Sequence, residues 1–177
     1  KYPKALSYLL ESHRLSEELK LMDISYARNN EAIGGIHSQI GNYKEAEKYI
    51  NKSLEIAYKQ KDTFQLGSSY VGKSKLMIRL KDEVKAQRYI DSALYVMKNV
   101  KHCEPCYNFA KTINAGNKNL SKNYAGALAE LKEVETFYNG EGKGQKPEPI
   151  FFTEKARAYL GLKKYDSAIQ TINSVKV

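Results

Sequence analysis

"YINKSL" at residues 49–54 and "YIDSAL" at residues 89–94 write nearly the same six-residue phrase forty residues apart. The likeness extends beyond six residues. Gly34, Ala46, Ile50 and Ser53 stand at the same spacings as Ser74, Ala86, Ile90 and Ala93. Carried forward, the pattern finds Ala115, Ala127, Leu131 and Val134, then Ala156, Ala168, Ile172 and Val175. Carried backward, only its second half fits, as Ala5, Leu9 and Ser12. The recurrent alanine therefore falls at 5, 46, 86, 127 and 168, in steps of 41, 40, 41 and 41. A tyrosine stands three residues ahead of it at Tyr2, Tyr43, Tyr124 and Tyr165, and Glu83 breaks the series.

The spacing predicts helices. Ala46, Ile50, Ser53 and Leu54 recur at intervals of four, three and one, which places them on one stripe of an α-helix. Gly41 and Asn42 interrupt the path from Gly34 to Ala46, so those two belong to different helices. Small residues at both places let two antiparallel backbones approach closely. Neither helix buries its stripe alone, so each pair needs the next. Asn42, Asp82 and Asn123 stand where a side-chain oxygen can cap the second helices, and Asn42 with Glu45 reads as a capping box. Asp23 and Asp62 are placed to cap first helices, and Pro105 suits a first turn. "NGEGKGQKPEP", residues 139–149, carries three Gly and two Pro and reads as a loop. The expectation is an all-α chain of about nine helices and no strands.

Composition supports a folded chain. Of its 177 residues 42% are hydrophobic, with 14 Tyr and no Trp, enough apolar surface for a core. No segment approaches the roughly 18 apolar residues of a membrane span. Residues 1–20 carry only half the pattern and Val177 falls as a second helix is finishing, so the expectation is a fragment of a longer array or multidomain chain. The net charge is +9, and it is spread thinly. Residues 1–60 hold 9 basic and 8 acidic groups, 61–97 hold 7 and 4, and 98–177 hold 13 and 8. Most cations are Lys, whereas readers of nucleic acid favour the bidentate fork of Arg. A solvated lysine surface is the expected reading; a nucleic-acid-binding helical repeat using the basic C-terminal half is the alternative, separable by salt dependence.

"IGGIHSQIGNYKEAEKYINKSLEIA", residues 33–57, and "GLKKYDSAIQTINSV", residues 161–175, resemble the tetratricopeptide repeat, whose signature is a small residue, Gly and Tyr near the turn, then Ala, a bulky apolar residue and another small one. The chain departs from that family in its step of 41, where about 34 is usual, and in lacking the early Trp and the closing Pro. Asn114 and Lys118 also stand where apolar residues belong. The long step and "LEIAYKQKD" resemble repeats in extracytoplasmic sensor regions and regulators of Bacteroidetes-type bacteria. The resemblance implies a single right-handed superhelical solenoid over 1–177: a partial repeat at 1–20, repeats at about 23–61, 62–100, 104–138 and 149–177, and a loop at 139–149. It implies a non-catalytic protein- or peptide-binding module, the sensory or scaffolding part of a larger bacterial regulator, extracytoplasmic or cytoplasmic. First helices would present outward residues to a partner: Arg28, Glu31, Ser38 and Gln39, then Lys75 and Arg79, then Thr112 and Asn119, then Thr153 and Arg157. Four cations and one anion suit an acidic or carboxylate-bearing peptide.

Other residues that invite a chemical reading do not assemble a site. In "HCEPC", residues 102–106, the His precedes the first Cys, so haem attachment fails. His102, Cys103 and Cys106 fall short of four zinc ligands. The cysteines read as small, partly buried residues of a connection or as a local disulfide in an oxidising compartment. His13 and Glu17 share a helical face without a third group to orient the imidazole, and His37 reads as groove filling. Sequons at Asn51 and Asn119 lie in or beside helices. No phosphate loop, nucleophile elbow or HExxH appears. No enzyme, metal or cofactor is expected.

Overall fold

The computed structural model describes residues 2–98, 100 and 103–175. Within these run nine α-helices: α1 (Tyr2–Glu18), α2 (Ile24–Gln39), α3 (Tyr43–Lys59), α4 (Thr63–Arg79), α5 (Glu83–Met97), α6 (Glu104–Leu120), α7 (Tyr124–Asn139), α8 (Pro149–Gly161) and α9 (Tyr165–Asn173). Among the described residues there is no strand, only an isolated bridge between Lys143 and Gln145 in the loop that follows α7. The helices α1, α3, α5, α7 and α9 begin at Tyr2, Tyr43, Glu83, Tyr124 and Tyr165, so each begins three residues before one of the recurrent alanines. The chain divides into two compact units, Lys1–Val100 with α1–α5 and Lys101–Val177 with α6–α9.

The turns explain the regular spacing. The residue just past the cap is left-handed at Lys20, Lys61, Lys81, Lys122 and Lys163, with φ between 56° and 59°, and at Gly41 with φ of 86°. Left-handed backbone costs an L-residue about 1–2 kcal/mol. Paired backbone bonds offset the strain: Lys81 N–H donates to Ile78 O and Asp82 N–H to Met77 O, and Lys122 and Asn123 repeat this on Asn119 and Lys118. These bonds satisfy carbonyls the helix leaves open at its end, and a lysine cation complements the negative pole there. N-caps divide by position. Asp23, Asp62, Asp82 and Asn123 accept from amides of the first turns of their helices. Asn42 makes no such bond, and its amide turns to His37 Nδ1 at 3.5 Å, so the capping box expected with Glu45 does not form.

In unit 1 one core cluster gathers Ala46, Ile50, Leu76, Met77 and Ala86, and a second joins Tyr26 and Ala27 of α2 to Ile56 of α3. The small residues work as spacers. A Cβ on Gly34 would stand 2.7 Å from Ile50 Cγ1 and 3.0 Å from Ala46 O. The Ser74 hydroxyl donates to Ala86 O at 3.0 Å, a bond only close backbones allow. Ala5 is exposed; α1 packs chiefly on α2, and its His13 also meets Tyr49 of α3. In unit 2 the core joins Ala115, Ala127, Leu131, Val134, Phe151 and Ala158 across α6, α7 and α8.

Candidate functional site

In unit 1 the first helices α2 and α4 pack side by side. Arg28 and Gln39 on α2 and Arg79 on α4 are exposed, and among the described residues no carboxylate lies within ion-pairing distance of either arginine. Lys75 is half-buried, and Ser38 is buried. Glu31 is not an outward anion as expected. Its carboxylate accepts from Gln65 Nε2 at 2.6 Å and Ser68 Oγ at 2.8 Å, bridging α2 to α4. Burial pushes its pKa above the usual glutamate range, against the pull of Ser68, Gln65 and the Lys75 cation. Gln65, 1% exposed, also reaches the Ser53–Ser69 hydroxyl pair in the interior.

In unit 2 two of the four expected outward positions, Thr112 and Asn119, turn inward. Thr112 on α6 is buried and donates to Asn108 O. Asn119, only 4% exposed, donates to Glu154 O at 2.9 Å and Glu154 Oε2 at 3.0 Å, tying α6 to α8. Arg157 is half-exposed, yet its guanidinium donates to both oxygens of buried Glu154 at 2.8 and 2.9 Å. Thr153 is exposed and donates to Pro149 O. The outward reading of Asn119 is therefore corrected, and Arg157 carries a neutralised charge. The physical reason is α6, whose Asn108, Asn114, Asn117 and Asn119 are all buried and draw polar partners inward. Of the two sequons, Asn119 is buried, while Asn51 is exposed with its Oδ1 accepting from Lys73.

Three lysines of unit 2 are also ion-paired. Lys118 meets Glu130, Lys111 meets Glu133 and Lys155 meets Glu135, each at 2.7 Å.

The sequence reading of His13 lacked one partner, which the structure supplies from another helix. The Tyr26 hydroxyl lies 3.0 Å from His13 Nε2 and donates to Glu17 Oε1 at 2.7 Å. Burial, with help from Glu17, raises the Tyr26 pKa to about 12, so this phenol stays a donor. Tyr49 continues the cluster, edge-on to His13 and stacked on His37. The arrangement seats α1 on α2. No local spacing signals it, because Tyr26 lies 13 residues from His13.

Cys103 and Cys106 form a disulfide at the start of α6. His102 of the same motif lies outside the described residues. Among the described residues no group of three His, Cys, Asp or Glu side chains is placed to hold a metal, and no helix is long and apolar enough to cross a membrane.

A family model described as tetratricopeptide repeat matches residues 27–60, which span nearly all of α2 and α3. No curated protein matches the chain. Repeats of that family generally mediate protein–protein interaction and form a non-enzymatic fold.

Proposed function

We propose that this chain is a non-catalytic interaction module that holds a protein or peptide segment through outward residues of its first helices, within a larger bacterial regulatory or scaffolding protein. The partner contributes acidic side chains or a C-terminal carboxylate. The observation that carries this reading is the pair Arg28 and Arg79. Both are exposed on first helices of unit 1, the unit that contains the family match, and neither has a carboxylate partner among the described residues. Guanidinium donors form a rigid fork that fits a carboxylate bidentately. The four helix pairs act as repeats of one kind, and exposed apolar side chains on α1 (Tyr8, Leu15) and α9 (Ile169, Ile172) fit a module with further protein beside it.

A partner captured by pull-down supplies the ligand for isothermal titration. Arg79→Ala should weaken binding by roughly 1.5–3 kcal/mol, the scale of a charge-assisted hydrogen bond. Arg157→Ala should do less, since Glu154 already occupies that guanidinium. Lys48→Ala with Lys52→Ala, on the second helix α3, should change little. Equal losses from the Arg79 and the lysine variants would end the proposal.

A further inference from the structure

Cys103 stands where the earlier first helices carry a capping carboxylate. It lies 41 residues after Asp62, which itself follows Asp23 by 39. Asp23 Oδ1 accepts from Ser25 N–H at 2.9 Å and Tyr26 N–H at 3.1 Å, and Asp62 Oδ1 accepts from Gln65 N–H at 2.7 Å. Each anion sits at the positive pole of its helix. Cys103 is the N-cap of α6, and Cys106 holds the position of Tyr26 and Gln65, three residues on. The Cys106 amide already points back at residue 103, donating to its carbonyl at 3.0 Å. While joined to Cys106, the Cys103 side chain makes no capping bond, so α6 lacks the N-cap carboxylate that α2 and α4 possess, and Glu104 is the acid of its first turn.

The bond has little to staple. Its ends are three residues apart within one turn, whereas α6 is held to α7 and α8 by the Ala115 core and by Asn114 and Asn119. So short a loop restricts the unfolded chain least. A sulfur at an N-cap is, in contrast, well placed to become a thiolate, because helix N-termini and Cys-X-X-Cys spacing both favour that form.

We propose that Cys103–Cys106 is an exchange-active redox centre that accepts two electrons from a dithiol, with Cys103 as the thiolate held by the α6 N-terminus. Cys106, the more exposed of the two, receives the attack. A thiolate of the dithiol bonds to Cys106 Sγ, the Cys103–Cys106 bond breaks, and its electron pair leaves on Cys103 Sγ. The second thiol of the reductant, deprotonated, then displaces Cys106 from the mixed disulfide. The reductant departs as a disulfide, and Cys106 takes a proton from water. A leaving thiol of lower pKa departs faster, so the cap accelerates the first step. In reverse, the Cys106 thiolate attacks a partner's disulfide, and the Cys103 thiolate then attacks Cys106 Sγ and releases the partner as a dithiol.

The test uses the full chain. In Cys106→Ser, thiolate absorbance at 240 nm should rise at a pH at least about one unit below that seen in Cys103→Ser. Dithiothreitol at neutral pH should reduce the folded protein fully, counted by mass after maleimide trapping, with the melting temperature nearly unchanged. Cys103→Asp, which restores the carboxylate of Asp23 and Asp62, should melt like the reduced parent, and Cys103→Ala should melt lower. Reversed ionisation order, reduction only in denaturant, or equal melting of the Asp and Ala variants would each overturn the proposal.

Discussion

The pair α4–α5 in unit 1 and the pair α6–α7 in unit 2 use one frame with opposite chemistry. Ser74 against Ala86 and Ala115 against Ala127 hold both pairs close. Beside that contact, Lys73, Met77 and Tyr89 of the first pair correspond, 41 residues on, to Asn114, Lys118 and Glu130 of the second. In unit 1, Met77 is buried in the apolar core, with Tyr89 packed against it. Lys73 is 3% exposed, with its ammonium satisfied by Glu47 at 2.8 Å and Asn51 at 2.6 Å on α3. In unit 2, buried Glu130 accepts from Asn114 at 2.9 and 3.0 Å and from Lys118 at 2.7 Å. An aromatic–thioether layer has become a carboxylate–amide–ammonium layer without loss of the helix pair. The position beside the small-residue contact tolerates either polarity, provided both helices change together, because a buried charge is stable only when a partner satisfies it.

That comparison is most severely tested by exchanging one partner alone. Met77→Lys places an ammonium in the unit 1 core beside Tyr89, and should cost about 3–5 kcal/mol. Lys118→Met strips Glu130 of its cation and should cost less, about 2–3 kcal/mol, since that lysine is 30% exposed and partly screened. Adding Glu130→Leu to Lys118→Met should recover most of the loss. Chemical denaturation of the three variants decides it; additive losses in the double variant would show that the layer is not a unit.

The shared frame should respond alike in both units. Ala86→Leu and Ala127→Leu, at sites with no exposed surface, should each overpack and cost about 1–3 kcal/mol. Ala46→Leu belongs to the same class, while Lys48→Leu and Lys85→Leu, at exposed sites, should stay within about 0.5 kcal/mol. Thermal melts showing similar losses at the alanine and lysine sites would remove the register.

The smallest effect separates a buried acid with neutral partners from one with a cation. Glu31 is bonded to Gln65 and Ser68, and its folded pKa lies above its ordinary value of 4.5. The fold therefore favours its protonated form. The stability it contributes is complete below pH 4.5 and is lost as the pH rises through the raised value. Glu31→Gln should match the parent at low pH and be more stable than it, within about 1 kcal/mol, at neutral pH. A variant less stable than the parent at neutral pH would show that the Glu31 anion helps the fold.

What the sequence by itself determined was everything carried by local spacing. The 41-residue step placed the recurrent alanines, helix stripes identified the pairs, and Asp23, Asp62, Asp82 and Asn123 marked helix starts through contacts two or three residues away. Such signals survive in one dimension because capping and helical faces depend on neighbours within a turn or two. Partner choice between helices does not. Glu31 found Gln65 and Ser68, Asn119 found Glu154, and His13 found Tyr26 over separations of 34, 37, 35 and 13 residues. These depend on how each helix rotates about its axis once packed, which turns an expected outward residue inward by a fraction of a turn. The tertiary structure alone decided that, among the described residues, Arg28 and Arg79 have no carboxylate within ion-pairing distance while Arg157 does. It also decided that the cysteine in the register of Asp62 is bonded to its neighbour rather than to the helix it caps.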